Sequence, residues 1–304
     1  MQATIELENE AGYFKISGAG GAFGDEGVEL APGPKGMWST EFTTLIVSGS
    51  MQVGGYVAGE EVPVRRMTLT LHLHDMGEGV EATVSRFRLM WGSPVSKLRP
   101  VTWRYTSVYS GERWLTLLLE KEILFSQEKD WNLQGYAKAV VSVVALEPRY
   151  ESQQLEVTVT NPSNGEHTLW APCWNPTDQY AWPEWGLKPN GTATFALPDF
   201  SFDQEQDIDP KWVPGDQADR MVVTPAINKL WSVMTERSMD PYVASDLSNA
   251  GGQMGGVRLL YPIPPHTGTA DDPVMLPVII NGPAGAKAKL LLRRFWSAES
   301  GLEA

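Results

Sequence analysis

The chain of 304 residues holds a single cysteine, Cys173, so no internal disulfide can form and the fold owes nothing to oxidation. Its neighbours Pro172 and Trp174 point to a buried thiol more than a reactive one. Histidine is scarce too, four in all. No stretch approaches the roughly 18 consecutive apolar residues that a bilayer-spanning helix needs, so no membrane insertion is expected. Met1 to Phe14 carries Glu6, Glu8 and Glu10 where a signal peptide would place cations and an apolar core. Synthesis and folding in a cytoplasm are therefore expected. Cations are few: 24 Lys and Arg stand against 37 Asp and Glu, a net charge of −13. A nucleic-acid-binding surface needs clustered cations to displace counterions, so sequence-specific nucleic-acid binding is not expected. A Gly-x-Ser-x-Gly elbow is missing, since Val47-Ser48-Gly49-Ser50 lacks its first glycine. Gly33-Pro34-Lys35-Gly36 is too short and too rigid to cradle a phosphate.

What is plentiful is turn chemistry. The 29 glycines and 22 prolines are spread along the chain without a low-complexity tract, and 42% of residues are apolar. That pattern favours short β-strands joined by many turns, in a chain long enough for two domains. The clearest strand is Met67 to His74, with Met67, Leu69, Leu71 and Leu73 on one face and Thr68, Thr70, His72 and His74 on the other. Val80, Val84, Phe87 and Trp91 then fall on one stripe of an amphipathic helix stopped by Gly92, expected to pack on the strand face of Leu69 and Leu71.

Further strands are expected at Val28 to Leu30, Thr43 to Val47, Val101 to Tyr105, Arg113 to Leu119 and Ala137 to Leu146. Gly54-Gly55 and Gly59-Glu60 mark a hairpin. Residues 1–26 read as an extended arm and a glycine-rich loop, 27–149 as a β domain with one helix, and 150–304 as a β-sandwich. The boundary lies in the polar segment Glu147 to Gln154. In the second domain, Leu155, Val157 and Val159 alternate with polar residues, Asn161-Pro162 and Asn175-Pro176 form turns, and Val257 to Tyr261, Val274 to Ile280 and Lys287 to Phe295 close the sandwich.

The stretch from Trp174 to Phe202 organises this second half, with three of the 12 tryptophans, four prolines and two glycines. Asn175 to Asp178 is a tight turn, because proline fixes φ and Asn or Asp bonds back to the local backbone. Pro189-Asn190-Gly191 is a second turn, and it delivers an alternating strand, Thr192 to Leu197. Asn175-Pro176-Thr177-Asp178-Gln179, the segment Trp182 to Trp185, and Leu197 to Phe202 together resemble the minor, or distal, tail proteins of siphophages that infect actinobacteria. Pro32 to Trp38 and Gly256 to Pro265 resemble that family as well, so the likeness runs over nearly the whole chain.

The resemblance implies a virion structural protein without catalytic residues, at the distal end of the tail and made in the host cytoplasm. It implies an N-terminal β-barrel or sandwich, tail-tube-like, that forms a homohexameric ring. A C-terminal β-sandwich of galectin or carbohydrate-module type would project from it. Implied partners are the tail tube protein, tail-tip hub proteins and the tape measure protein. No cofactor is implied.

Several residues invite other roles. His72 and His74 share a strand face at a spacing that suits zinc, but no third ligand stands near in sequence, and no metal is expected. Asp207, Asp209 and Glu184 are candidate carboxylates for glycoside hydrolysis, which the acidic loop Asp203 to Gly215 explains more simply as a solvated loop. Trp170, Trp174, Trp182 and Trp185 are candidates for a subunit interface or a glycan platform. Arg65, Arg66, Arg86 and Arg88 cluster near the N-terminal strand and helix and are candidates for the subunit seam, where like-charged copies need matched cations.

Overall fold

Period-two alternation begins at the N-terminus. A computed structural model describes residues 3–18, 26–93, 97–126 and 130–303. In it β1 (Thr4–Asn9) and β2 (Gly12–Ser17) pair as an antiparallel hairpin. Ile5, Leu7, Phe14 and Ile16 point inward and are buried. This corrects the expected arm over 1–26. Glu6 and Glu8 occupy the outer face, where Arg104 pairs with Glu8 at 2.9 Å, Glu112 at 3.2 Å and Glu6 at 3.5 Å. The glycine-rich part, 19–25, lies outside the described residues.

β3 (Val28–Leu30) is followed by a hairpin of β4 (Thr43–Val47) and β5 (Tyr56–Glu61), with Gly59 inside β5 and not at its turn. β6 (Arg65–His74) alternates as read, and Met67, Leu69, Leu71 and Leu73 are buried. α1 (Val80–Trp91) buries Val80, Val84, Phe87, Met90 and Trp91. It ends at Gly92, which no other residue could replace without strain. Its φ is 72°, and a Cβ there would sit 2.3 Å from the Lys97 carbonyl oxygen.

Two-residue strands β7 (Gly92–Ser93) and β8 (Lys97–Leu98) lead to β9 (Val101–Ser107), β10 (Gly111–Leu119) and β11 (Leu124–Ser126). The single turn α2 (Trp131–Gln134) is capped by the Asp130 carboxylate, which accepts from the Asn132 N–H at 2.9 Å. β12 (Tyr136–Ala145) then pairs with β6 over ten residues, from Tyr136↔His74 to Ala145↔Arg65. β3 lies along the other edge of β6, and β10, β9, β1 and β2 continue in order. None of these sheets closes on itself, so of the barrel and sandwich alternatives the open, layered form is found. α1 lies on β6 and β12 in one apolar cluster.

The chain divides into two compact units, Met1–Ser152 with Trp296–Leu302, and Gln153–Phe295 with Glu303–Ala304. The first unit is thus discontinuous in sequence. Trp296 is buried in its core and donates to Ser152 Oγ at 2.9 Å. The Arg113 guanidinium lies 3.7 Å over the Trp296 ring and donates to the carbonyls of Ala298 at 2.8 Å and Gly301 at 2.6 Å. In place of a polar linker, β13 (Tyr150–Thr160) runs unbroken through the boundary.

The second unit holds β14 (Gly165–Cys173), β15 (Pro183–Lys188), β16 (Thr194–Pro198), the single turn α3 (Glu205–Ile208), β17 (Met221–Val223), β18 (Trp231–Met234), β19 (Tyr242–Ala244), the single turn α4 (Ala250–Gln253), β20 (Val274–Gly282) and β21 (Lys287–Trp296). One sheet orders β14-β20-β16-β17, and the other runs β13-β21-β15-β18-β19. Phe195, Val278 and Ile280 of one share a core with Trp185, Leu187, Leu290 and Leu292 of the other. Val257 to Tyr261, expected as a strand, pairs with none. Its N–H groups at Leu260 and Tyr261 donate instead to the buried Asp199 carboxylate, at 2.9 and 3.0 Å. Asp199 also holds an ion pair with Arg220.

Phe87 meets Phe14 at 6.0 Å and Trp91 at 6.2 Å, ring to ring, within the first core. Phe87→Ala is expected to cost about 3–5 kcal/mol in urea unfolding, and an unchanged midpoint would show that α1 is not part of the core.

Candidate functional site

Of the four arginines expected at a subunit seam, Arg65 is spent inside the chain. It lies on the buried face of β6, 4% exposed. It donates to the carbonyls of Pro148 at 2.6 Å, Gly36 at 2.9 Å and Met37 at 3.0 Å, and to Thr40 Oγ1 at 2.8 Å. Alternation decides this: an odd-numbered position on β6 faces the core with Met67, and the guanidinium meets carbonyls of the turn after β3. Arg66, on the opposite face, pairs with Glu120 at 2.8 Å. Arg86 is exposed and donates to Thr83 Oγ1 at 3.4 Å. Arg88 stacks over Phe125 at 4.5 Å and Trp131 at 5.8 Å. It lines a cleft of about 990 Å³ beside α1, with Leu89, Lys97, Arg99 and Trp131.

The four tryptophans do not form one platform. Trp185 is fully buried in β15, Trp182 is half-buried, and Trp174 is half-buried under the Arg294 guanidinium at 4.9 Å. Trp170 alone is exposed, at 55%. It stands on the outer face of its sheet opposite Pro277, beside the pairs Pro172↔Met275 and Thr168↔Ile279.

The titratable candidates are spread out. Asp207 is exposed, and Asp209 accepts from the Lys211 N–H at 3.0 Å. Glu205, at the start of α3, is buried and accepts from the N–H groups of Gly215 at 2.9 Å and Gln217 at 3.1 Å, which pins the acidic loop. Burial raises the Glu184 carboxyl, and its charged neighbours are Arg293 and Glu236, not Asp207 or Asp209. His72 Nδ1 meets the Tyr136 hydroxyl at 2.5 Å, and His74 Nε2 lies 3.9 Å from Glu29. Both are half-buried by the flanking strands and not freely solvated as a bare polar face would be; burial pushes the His74 imidazole down. Among the described residues no three His, Cys, Asp or Glu side chains group as a metal site. Cys173 is buried, and burial pushes its thiol up to about 12.

The motif Asn175 to Gln179 is a folding device. Asn175 is fully buried, and its Nδ2 donates to the carbonyls of Gln179 at 2.8 Å, Pro264 at 2.9 Å and Ile263 at 3.3 Å. Its Oδ1 accepts from Thr177 Oγ1 at 2.8 Å and Thr177 N–H at 3.2 Å. Asn161, at the other end of β14, repeats the arrangement toward Gly165 and Gly282, both at 3.1 Å. One side chain thus closes its own turn and ties it to a distant loop.

A surface that the alternation rules do not flag is the β4–β5 hairpin. Among the described residues its strands pair only with each other. Ile46 is 70% exposed, Val57 62% and Met51 fully so, with Phe42, Leu45, Val53 and Tyr56 also exposed. A run such as Thr43-Thr44-Leu45-Ile46-Val47 reads as an ordinary half-buried strand. The signal for exposure is the absence of any apolar run nearby left to cover it.

No protein-family model matches the chain. Over 331 aligned positions it is 23% identical to the minor tail protein Gp27 of Mycobacterium phage L5, covering 92% of this chain and 94% of that protein. Among solved structures it is similar to the Dit protein (gp 19.1) of phage SPP1, described as a paradigm of the hub adsorption apparatus in phages infecting Gram-positive bacteria. The TM-score is 0.56 at 9% identity, over 97% of this chain and 99% of that one. The chain has the fold of a siphophage distal tail protein. A chain of the phage P2 baseplate in its calcium-activated conformation is similar too, with a TM-score of 0.50 at 11% identity over 97% and 98% of the two chains.

Asn175→Ala would remove one donor from three carbonyls, each of which keeps a second: Thr177 Oγ1 for Gln179, the Ala181 N–H for Ile263 and Thr267 Oγ1 for Pro264. It would also take the acceptor from the Thr177 N–H, at about 1–3 kcal/mol for a buried group left unsatisfied. The variant is expected to lose about 1–3 kcal/mol in urea unfolding, and a loss under about 0.5 kcal/mol would show that the clamp is dispensable.

Proposed function

We propose that this chain is a distal (minor) tail protein. Several copies, six by analogy, form a ring that joins the tail tube of a siphophage to its tail-tip complex. The observation that carries the reading is the extent of the likeness: both units, in order, align with one Dit chain over 97% of this chain and 99% of the other. The named role of the L5 relative points the same way. Ring formation is assigned to the first unit, where the bare hairpin and the cleft beside α1 lie. The tail tube protein, the tip hub proteins and the tape measure protein are the expected neighbours, at the distal end of the tail. The role is structural, and no residue is assigned to catalysis.

A second reading rests on Trp170. An exposed indole on a sheet face, with Thr168 and Glu166 at the same side of β14, suits stacking on a sugar ring of the host surface.

Two measurements on the purified full-length chain separate these readings. Native mass and negative-stain imaging are expected to show closed rings, and a chain that stays monomeric up to its solubility limit would sink the assembly reading. Binding of the chain to host cell-wall glycans, abolished by Trp170→Ala, is the result the second reading needs; without binding by the unsubstituted chain it falls.

A further inference from the structure

Gly186 sits in the middle of β15 for no reason that the backbone supplies. Its φ lies outside the left-handed region, and a Cβ there would meet only the Lys289 Cβ, at an ordinary 3.8 Å. A glycine inside a strand weakens it and marks a place where something approaches the backbone closely. Trp185 and Leu187 on either side are buried in the core, so Gly186 faces outward. What it leaves on the outer face of the sheet is a hollow of about 160 Å³, bounded by Glu184, Ser232, Met234, Lys289 and Leu291. Met234 and Leu291 are apolar, while Glu184, Ser232 and Lys289 bring an acceptor, a hydroxyl and a cation. That mixture suits one sugar ring, apolar on its faces and hydroxylated around its edge.

The charge beside the hollow is uneven. β15 pairs with β21 in a register that sets Gly186 against Lys289 and Lys188 against Lys287. Lys188 and Lys287 are exposed, and like charges directly opposite each other on a sheet repel. Lys289 is answered by Glu156 at 2.8 Å; among the described residues neither Lys188 nor Lys287 has such a partner. This holds in a chain where 37 Asp and Glu stand against 24 Lys and Arg. At the other end of the hollow, Glu184 has Arg293 and Glu236 as charged neighbours. The bare lysine pair lies two residues along β15 from Gly186, about 7 Å away.

We infer that this face of the second unit binds an anionic glycan, with one ring over Gly186 and a carboxylate or phosphate group on the Lys188–Lys287 pair. Hollow and lysines select this ligand together. A neutral sugar would fill the hollow and leave the lysines unanswered. An acidic peptide or a polyphosphate would answer the lysines and leave the hollow without a ring. The inference does not rest on the ring reading, nor on Trp170, which stands on the other sheet of this unit.

The test uses the full-length chain and calorimetry. The probes are an oligogalacturonate and a phosphorylated oligomannose, each beside its uncharged counterpart, the methyl ester and the unphosphorylated oligomannose. Inorganic polyphosphate supplies charge without a ring. One of the two anionic glycans is expected to bind about tenfold or more tightly than its uncharged counterpart, and the arm that binds tells carboxylate from phosphate. Lys188→Gln combined with Lys287→Gln is expected to weaken that binding by about tenfold or more. Gly186→Val is expected to abolish it by filling the hollow, with a thermal midpoint unchanged or raised, since a β-branched residue suits a strand. The lysines are exposed, so their variant decides the matter even where Gly186→Val lowers the midpoint. Binding of neither anionic glycan overturns the inference. So does binding that survives Gly186→Val in a folded chain, binding indifferent to the two lysines, or polyphosphate bound as tightly as the glycan. Each of these results leaves the ring reading standing.

Discussion

The structure depends on where its buried carbonyls find donors. A chain of short strands and long connections carries many loop carbonyls into dry surroundings, and each unpaired one costs stability. Here a few side chains with several fixed N–H groups do the pairing. Arg65 collects Gly36, Met37 and Pro148, Arg113 collects Ala298 and Gly301, and Asn161 and Asn175 each close a turn and hold a second loop. Asp199 does the reverse for two N–H groups. Guanidinium and amide suit this because their donors are rigidly forked. In so acidic a chain, arginine would be expected to serve the surface; two of the arginines instead hold the interior together.

Much of the fold is legible from residue order. The alternation of β6, the stripe of α1 and its stop at Gly92, and the turn at Asn190-Gly191 follow from local geometry, and local geometry is what a sequence pattern records. The arm expected over 1–26 fails for a physical reason. The glycines from Gly18 onward advertise a loose segment, while Ile5, Leu7, Phe14 and Ile16 before them alternate as a core strand pair does. The cation that answers Glu6 and Glu8, Arg104, belongs to a distant strand, β9. Val257 to Tyr261 has the composition of a strand, but its N–H groups are claimed by a carboxylate far back in the chain. Arg65 and Arg66 are neighbours in the chain and opposites in the fold; composition groups them and the pleat separates them.

The candidate surfaces are harder to see. Trp170, Trp174, Trp182 and Trp185 are alike in sequence, and only the register of β14 with β20 leaves Trp170 bare. The hairpin is legible as a strand pair but not as an exposed one, since exposure depends on what the rest of the chain fails to bring near. The motif Asn175 to Gln179 holds loops together and faces no solvent with its key side chain.

The return of Trp296 to Leu302 into the first unit makes the second unit an insertion, entered along β13 and left along its neighbour β21. A ribosome therefore finishes the sandwich before it releases the last piece of the first core. The two adjacent crossing points also make the sandwich a cassette: what lies between residues 153 and 295 can be lengthened or exchanged, provided that its ends arrive as a pair of neighbouring strands.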